Sequence, residues 1–184
     1  MARRAVTGCE FASVGLARTM LLDVTMGQAR PLSGAHRHTV LLVDDCPAVR
    51  RSLDTALSFC GCDVATAASG EEALERLRAG LSPCVVLLDL SMLHGGALEF
   101  RDAWRAEPRL ADIPVVVQTG MDEVPAIARA LGARGWLVKP PDLNELLGLI
   151  ARLCGNGEAT ASPPGTPSTR SQSQRASHAP VPHA

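Results

Sequence analysis

The chain has 184 residues and a formal net charge of −1, a length that suits one domain with extensions. Its acidic and basic residues are interspersed, which argues against a general nucleic-acid or membrane surface. Aromatic residues make up 3% of the chain and tyrosine is absent, which argues against an aromatic platform for single-stranded nucleic acid.

Residues 1–37 precede the first strong pattern. Arg3 and Arg4 with a short apolar stretch faintly resemble a signal peptide, but Glu10 and Arg18 interrupt that stretch. The stretch is also too short to span a membrane. We therefore predict a poorly structured N-terminal extension over residues 1–37.

The first predicted strand is the apolar run Val40–Val43. Asp44 and Asp45 stand directly at its carboxyl end. A run that is apolar on both faces and bounded by abrupt polarity is typical of a buried parallel strand. Pro47 then fits the first position of a helix, where its missing N–H costs no hydrogen bond.

The middle of the chain repeats this alternation. A weak second strand is expected over residues 63–67, and Ser69 with Glu72 has the spacing of a capping box that opens a second helix. The run Val85–Leu88 predicts a third buried strand that ends at Asp89, with a third helix after it.

Two further strands and helices complete the pattern. The run Ile113–Gln118 leads into Thr119, and the run Trp136–Val138 leads into Lys139. A fourth helix is expected between them and a fifth from Asp142. Strands that alternate with helices predict an α/β fold, a doubly wound five-stranded parallel sheet with helices on both faces.

Residues 155–184 differ in composition from the rest of the chain. They are dominated by Gly, Pro, Ser, Thr and Ala and contain almost no large apolar side chains. Such a segment cannot bury enough surface to offset its ordering entropy, so we predict a disordered tail that is too poor in apolar residues to form a DNA-binding domain.

The six cysteines are scattered along the chain, at Cys9, Cys46, Cys60, Cys62, Cys84 and Cys154. No two pairs of closely spaced cysteines mark a zinc site. We predict reduced thiols.

The polar residues at the strand ends are expected to meet, because the carboxyl ends of parallel strands share the edge where ligands bind. Crowded carboxylates raise one another's pKa unless a cation holds them, and oxygen ligands favour Mg²⁺. A metal, a free carboxylate, a hydroxyl and an ammonium are the groups needed to accept a phosphoryl group on an aspartate.

Four segments together resemble the receiver domain of two-component response regulators. They are VLLVDD at 40–45, VVLLDLSM at 85–92, IPVVVQTG at 113–120 and GARGWLVKPPDL at 132–143. All four occur in the family's order, and they place the predicted receiver domain at residues 38–154. The resemblance implies the flavodoxin-like strand order 2-1-3-4-5.

The resemblance also implies a metal site and a phosphoacceptor. Asp89 is similar to the phosphoacceptor. Asp45 is similar to the direct Mg²⁺ ligand and Asp44 to the ligand that acts through water. The backbone carbonyl of Ser91 is expected to complete the metal site.

The remaining roles concern the switch. Thr119 is similar to the family's switch hydroxyl, Lys139 to its phosphate-binding lysine and Trp136 to its switch aromatic. The implied protein is a cytoplasmic single-domain response regulator and not an enzyme. A histidine kinase or a histidine phosphotransfer protein would donate the phosphoryl group, and an effector protein would bind in trans, without DNA or membrane contact.

Two alternatives remain open. A Mg²⁺-dependent phosphohydrolase with an aspartyl-phosphate intermediate resembles Asp-x-Asp after its first strand, whereas Asp89 is followed by Leu90 and Ser91. A receiver-fold adaptor that works without phosphorylation is kept open by Leu93 and Ala97, where the family usually has proline and glycine.

Overall fold

The computed structural model describes residues 38–92, 96–120 and 124–155. The predicted N-terminal extension and Leu93 lie outside these residues, as does the predicted tail after residue 155. The strands are β1 (His38–Val43), β2 (Cys62–Ala67), β3 (Val85–Asp89), β4 (Val115–Thr119) and β5 (Gly135–Val138). The helices of the described residues are α1 (Pro47–Phe59), α2 (Gly70–Arg78), α3 (Gly96–Ala106), α4 (Pro108–Ala111), α5 (Val124–Leu131) and α6 (Leu143–Gly155).

The strands form one five-stranded sheet in the order β2-β1-β3-β4-β5. Every neighbouring pair is parallel. The doubly wound sheet and its strand order are therefore confirmed. Since Val43 pairs with Leu88 and Asp89 with Gln118, the ends of β1, β3 and β4 lie side by side at one edge.

Both faces of the sheet are covered by helices, as predicted. Helices α1 and α6 pack on one face, where Leu53 and Leu146 are fully buried beside Leu87 of β3. Helices α2 to α5 cover the other face, where Phe100 packs in a cluster with Leu88. A central strand buried on both sides explains why its sequence is apolar without alternation.

Proline and capping side chains explain where the helices begin. Pro47 occupies the first turn of α1. The Ser69 hydroxyl accepts a hydrogen bond from the Glu72 amide at 3.1 Å, which confirms the predicted cap of α2. At α6 the Asp142 carboxylate accepts from the Glu145 amide at 2.9 Å. These caps satisfy amides that have no partner within their helices.

Two features differ from the sequence-based predictions. The short helix α4 was not predicted, because four residues are too few to show a helical period. The prediction of reduced thiols is wrong for Cys46, which is disulfide-bonded, and for Cys84 and Cys154, which form a disulfide with a Cα–Cα distance of 5.2 Å. Their separation of 70 residues hides this contact from local sequence patterns. Cys60 and Cys62 are free and buried.

No helix in the described ranges combines the length and the apolar character that a membrane span requires.

Candidate functional site

Three carboxylates meet at the carboxyl edge of the sheet. Asp44 and Asp45 follow β1, and Asp89 is the last residue of β3. Each offers an oxygen atom to a group in which these atoms lie within 4.8 Å of one another. Asp44 is 0% exposed and Asp89 is 4% exposed, whereas Asp45 is more accessible. The predicted cluster is therefore present, with two carboxylates buried and one facing outward.

Backbone amides orient the two buried carboxylates. Asp44 Oδ1 accepts a hydrogen bond from the Cys46 amide at 2.8 Å, and Asp89 Oδ1 accepts one from the Ser91 amide at 2.8 Å. At both strand ends, the carboxylate thus accepts from the amide two residues later. This hydrogen bond fixes the orientation of each Oδ1 atom. The role of the Ser91 carbonyl as a metal ligand stays a prediction.

Lys139 neutralises part of the buried negative charge. Its Nζ lies 2.7 Å from Asp44 Oδ2 and 2.7 Å from Asp89 Oδ2. The Lys139 amide donates to the Thr119 carbonyl at 2.9 Å, and the peptide bond to Pro140 is cis. These contacts hold the ammonium group between the ends of β1 and β3, where the sequence predicted a phosphate-binding lysine.

Burial raises the pKa of Asp44 above its ordinary value. Removal of the carboxylate from water is the main cause, and repulsion by Asp89 adds to it. The ion pair with Lys139 and the Cys46 amide lower the pKa but do not cancel the effect of burial. The ionised form of Asp44 is therefore disfavoured by its burial even though Lys139 lies beside it.

This donor set fits a hard divalent cation. The three side chains offer only carboxylate oxygens, which are the ligands that Mg²⁺ prefers. A second positive charge beside Lys139 would offset the repulsion between the buried carboxylates. Asp44, Asp45 and Asp89 could therefore hold Mg²⁺, as the sequence suggested.

The predicted switch residues lie on β4 and β5, the two strands beyond β3 in the sheet. Thr119 is fully buried at the end of β4 and pairs with Val138 of β5. Trp136 pairs with Val117 and is half-buried among the residues that cover the α2–α5 face. Because side chains alternate along a strand, Thr119 and Trp136 share one face of the sheet, as diagonal neighbours.

One side chain at the site was missed by the sequence-based interpretation. The Arg50 guanidinium, from the first turn of α1, donates to the Asp44 carbonyl. A helix that begins directly after a strand brings its first-turn residues back over the strand end. Pro47 indicates from the sequence that a helix begins directly after β1. That helix start could have identified Arg50 as a residue close to the site.

A match to a protein-family model covers most of the described residues and identifies the family of this chain. The model of the response regulator receiver domain matches residues 40–151. The chain belongs to this receiver family. The predicted acidic cluster, Thr119 and Lys139 all fall within the matched segment.

Curated relatives include a response regulator and a probable transcriptional regulator. The response regulator MprA of Mycolicibacterium vanbaalenii is 38% identical over 131 residues, which are 66% of this chain and 55% of MprA. "Probable transcriptional regulator ycf27" of Porphyridium aerugineum is 35% identical over 112 residues, which are 60% of this chain and 45% of that protein. The chain thus spans about half the length of these curated relatives.

Solved receiver structures share the fold. The chemotaxis response regulator CheY4 of Vibrio cholerae superposes with a TM-score of 0.58 at 32% identity, covering 64% of this chain and 99% of CheY4. A response regulator receiver protein from Pseudomonas putida gives a TM-score of 0.58 at 30% identity, covering 65% and 99%. Both matches cover a complete solved chain or nearly so, and they agree with the sheet described above.

Proposed function

We propose that this receiver domain accepts a phosphoryl group on Asp89 and acts as a single-domain switch in a two-component phosphorelay. The observation that carries the proposal is the meeting of the Asp44, Asp45 and Asp89 carboxylates at one edge, with the Lys139 ammonium group in contact with Asp44 and Asp89. Separate structural roles for an acidic cap, a buried threonine and a lysine would not require them to meet at one edge. A phosphoryl-accepting site does require these side chains to lie together.

The proposed chemistry is transfer from a phosphohistidine of a histidine kinase or a histidine phosphotransfer protein. An Asp89 carboxylate oxygen attacks phosphorus, the P–N bond breaks, and the electron pair stays on the donor imidazole, which takes up a proton from solvent. Bound Mg²⁺ would supply electrostatic stabilisation of the phosphoryl oxygens. Lys139 contributes a second positive charge, because its Nζ is already 2.7 Å from Asp89 Oδ2.

The proposed switch uses the two residues that share a face of the sheet. A phosphoryl group on Asp89 offers new acceptor oxygens, toward which the Thr119 hydroxyl would move. Trp136 would then change its packing and remodel the surface formed by α5, β5 and α6. Phosphorylation can shift the equilibrium only if the two states differ in these contacts.

We propose that the readout is protein binding in trans and that the chain catalyses no reaction on an outside metabolite. Residues 156–184 have few apolar side chains, so this segment by itself is a poor candidate for a DNA-binding fold. The names of the relatives favour the second candidate function, regulation of transcription through DNA. The proposed setting is the cytoplasm, where the kinase domains would supply phosphohistidine.

Two measurements separate these candidates. The full chain is incubated with a phosphorylated histidine kinase and Mg²⁺, and the acid-labile label on the protein is followed with time. Transfer to the parent and not to Asp89→Asn supports the phosphorelay. The same phosphorylated sample is then added to random-sequence duplex DNA at low salt. Saturable DNA binding by the isolated chain would overturn the proposed readout in trans, and absence of transfer would overturn the phosphorelay.

A further inference from the structure

A second cluster of potential ligands lies at the opposite edge of the sheet from Asp89. It consists of His38 at the start of β1, Cys84 directly before β3, and Cys154 in the last turn of α6. Asp89 lies five positions after Cys84 along the chain, about 16 Å away at the rise of a parallel strand. This cluster therefore belongs to no part of the phosphoryl-accepting site.

The fold and the Cys84–Cys154 disulfide together hold the three side chains close to one another. The His38 ring nitrogen and the two sulfur atoms lie within 4.8 Å of one another. The Cys84 amide donates to the Thr39 carbonyl at 2.9 Å, which fixes Cys84 beside β1 and next to His38. His38 is 6% exposed, whereas both cysteines are partly accessible. The set is buried on its imidazole side and open on its sulfur side.

We propose that the reduced form of this His38–Cys84–Cys154 cluster binds one Zn²⁺ ion. Two thiolates and an imidazole are ligands that zinc favours over Mg²⁺ or Ca²⁺. Tetrahedral zinc holds neighbouring sulfur and nitrogen ligands about 3.5–3.8 Å apart. Once the S–S bond is broken, side-chain rotations bring the three atoms to those separations, because the atoms start within 4.8 Å of one another. The fourth position faces the accessible side and takes a water molecule.

Zinc binding and the disulfide exclude each other. A thiol or phosphine reductant delivers two electrons and is itself oxidised, while the S–S bond breaks and both sulfurs take up protons. Zn²⁺ then binds the two sulfurs as thiolates, and the two thiol protons leave to solvent. The cluster is thus a metal site in the reduced protein and a covalent link between β3 and α6 in the oxidised protein.

Two other cysteines of the same face, Cys60 and Cys62, are poorer ligands. Cys62 pairs with His38 across the strands but lies outside the 4.8 Å group. Burial raises the pKa of its thiol to about 11, which keeps it protonated. Cys60 at the end of α1 is 1% exposed. Cys60→Ala is therefore a matched control that removes a thiol from this face without touching the cluster.

The experiment uses the full chain, reduced with a phosphine under argon, in excess Mg²⁺ so that the acidic site does not take up zinc. Native mass spectrometry counts zinc ions per chain. Titration with Co²⁺ reports thiolate ligation, through absorption bands that carboxylate ligands do not produce. Parent, Cys60→Ala, Cys84→Ser, Cys154→Ser and His38→Gln are compared. Far-ultraviolet circular dichroism verifies that each variant is folded.

We expect about one zinc ion per chain in the reduced parent and in Cys60→Ala. Oxidation with diamide, Cys84→Ser and Cys154→Ser should each abolish this binding, and His38→Gln should weaken it at least about 10-fold. If one of the two cysteine variants fails to fold, the zinc content of the other variant decides the test. Absence of zinc from the reduced parent, binding that survives oxidation, or unchanged binding in a folded cysteine variant would overturn the proposal.

Discussion

The Lys139 ammonium group lies 2.7 Å from Asp89 Oδ2, although the two residues are 50 positions apart and Lys139 follows β5, which β4 separates from β3. The same nitrogen contacts Asp44 at 2.7 Å. One cation therefore serves two buried carboxylates. Any cation or phosphoryl group that enters this edge has to share or replace these contacts.

Loss of this lysine should destabilise the metal-free protein. Removing one partner of a buried ion pair leaves uncompensated charge, so we expect Lys139→Met to lower the free energy of unfolding by about 3 kcal/mol at neutral pH. Arg78→Met is the matched control, because its ion pair with Glu107 lies at the surface and should matter far less. Urea unfolding monitored by circular dichroism measures both. Equal effects of the two substitutions would contradict the role of Lys139.

Asp44 should make stability depend on pH. Its folded pKa is raised above the ordinary value of 3.8, so the folded state binds its proton more tightly than the unfolded state does. The carboxyl therefore costs no stability below pH 3.8, and its cost grows as the pH rises through the folded pKa. We expect the stability gain of Asp44→Asn over the parent, measured without Mg²⁺, to increase from about pH 4 to neutral pH. A gain that is constant or falls with pH would be inconsistent with this assignment.

The affinity for Mg²⁺ should depend on Asp45, the most accessible carboxylate of the cluster. We expect Asp45→Ala to weaken Mg²⁺ binding at least about 10-fold, because it removes the most accessible carboxylate of the cluster. Asp112→Ala is a suitable control, since Asp112 is exposed and precedes β4 at the other edge. Isothermal titration calorimetry gives both affinities. Parent-like affinity in Asp45→Ala would mean that Mg²⁺ binds elsewhere. The same variant should be more stable than the parent without metal, since repulsion in the cluster falls.

Most of the fold could be predicted because β1, β3 and β4 are buried on both faces and are therefore apolar throughout. The cluster of carboxylates could be predicted from the positions of the strand ends, because parallel strands place their carboxyl ends at the same edge of the sheet. The contact of Lys139 with both Asp44 and Asp89 could not be predicted, because it depends on where the chain turns after β5.

The disulfide between Cys84 and Cys154 escaped prediction for a similar reason. It joins the loop before β3 to the last turn of α6, and only the packing of α6 on the sheet brings these two places together. Helix α4 escaped for a different reason. Glu107 is its N-cap and Pro108 opens it, but the four residues of the helix give no period to recognise.

The coupling between Thr119 and Trp136 should be visible in fluorescence. Trp104, the other tryptophan, is buried and its indole donates to the Leu110 carbonyl, so Trp104→Phe isolates the signal of Trp136. We expect beryllofluoride with Mg²⁺ to change Trp136 emission in this background, because a half-buried ring is sensitive to repacking. Thr119→Ala should abolish the change while beryllofluoride still binds. An emission change that persists in Thr119→Ala would contradict the coupling.

The most direct test of the central claim is the intact mass of the full chain after incubation with acetyl phosphate and Mg²⁺, followed by peptide mapping of the modified residue. We predict that the parent gains the mass of one phosphoryl group, that the modified peptide contains Asp89, and that Asp89→Asn gains none. Chelation of Mg²⁺ should suppress the gain in the parent, because the carboxylate cluster then lacks its divalent cation. A phosphoryl group that appears on Asp89→Asn at the parent's rate, or a folded parent that gains none, would contradict the assignment of Asp89 as the phosphoacceptor.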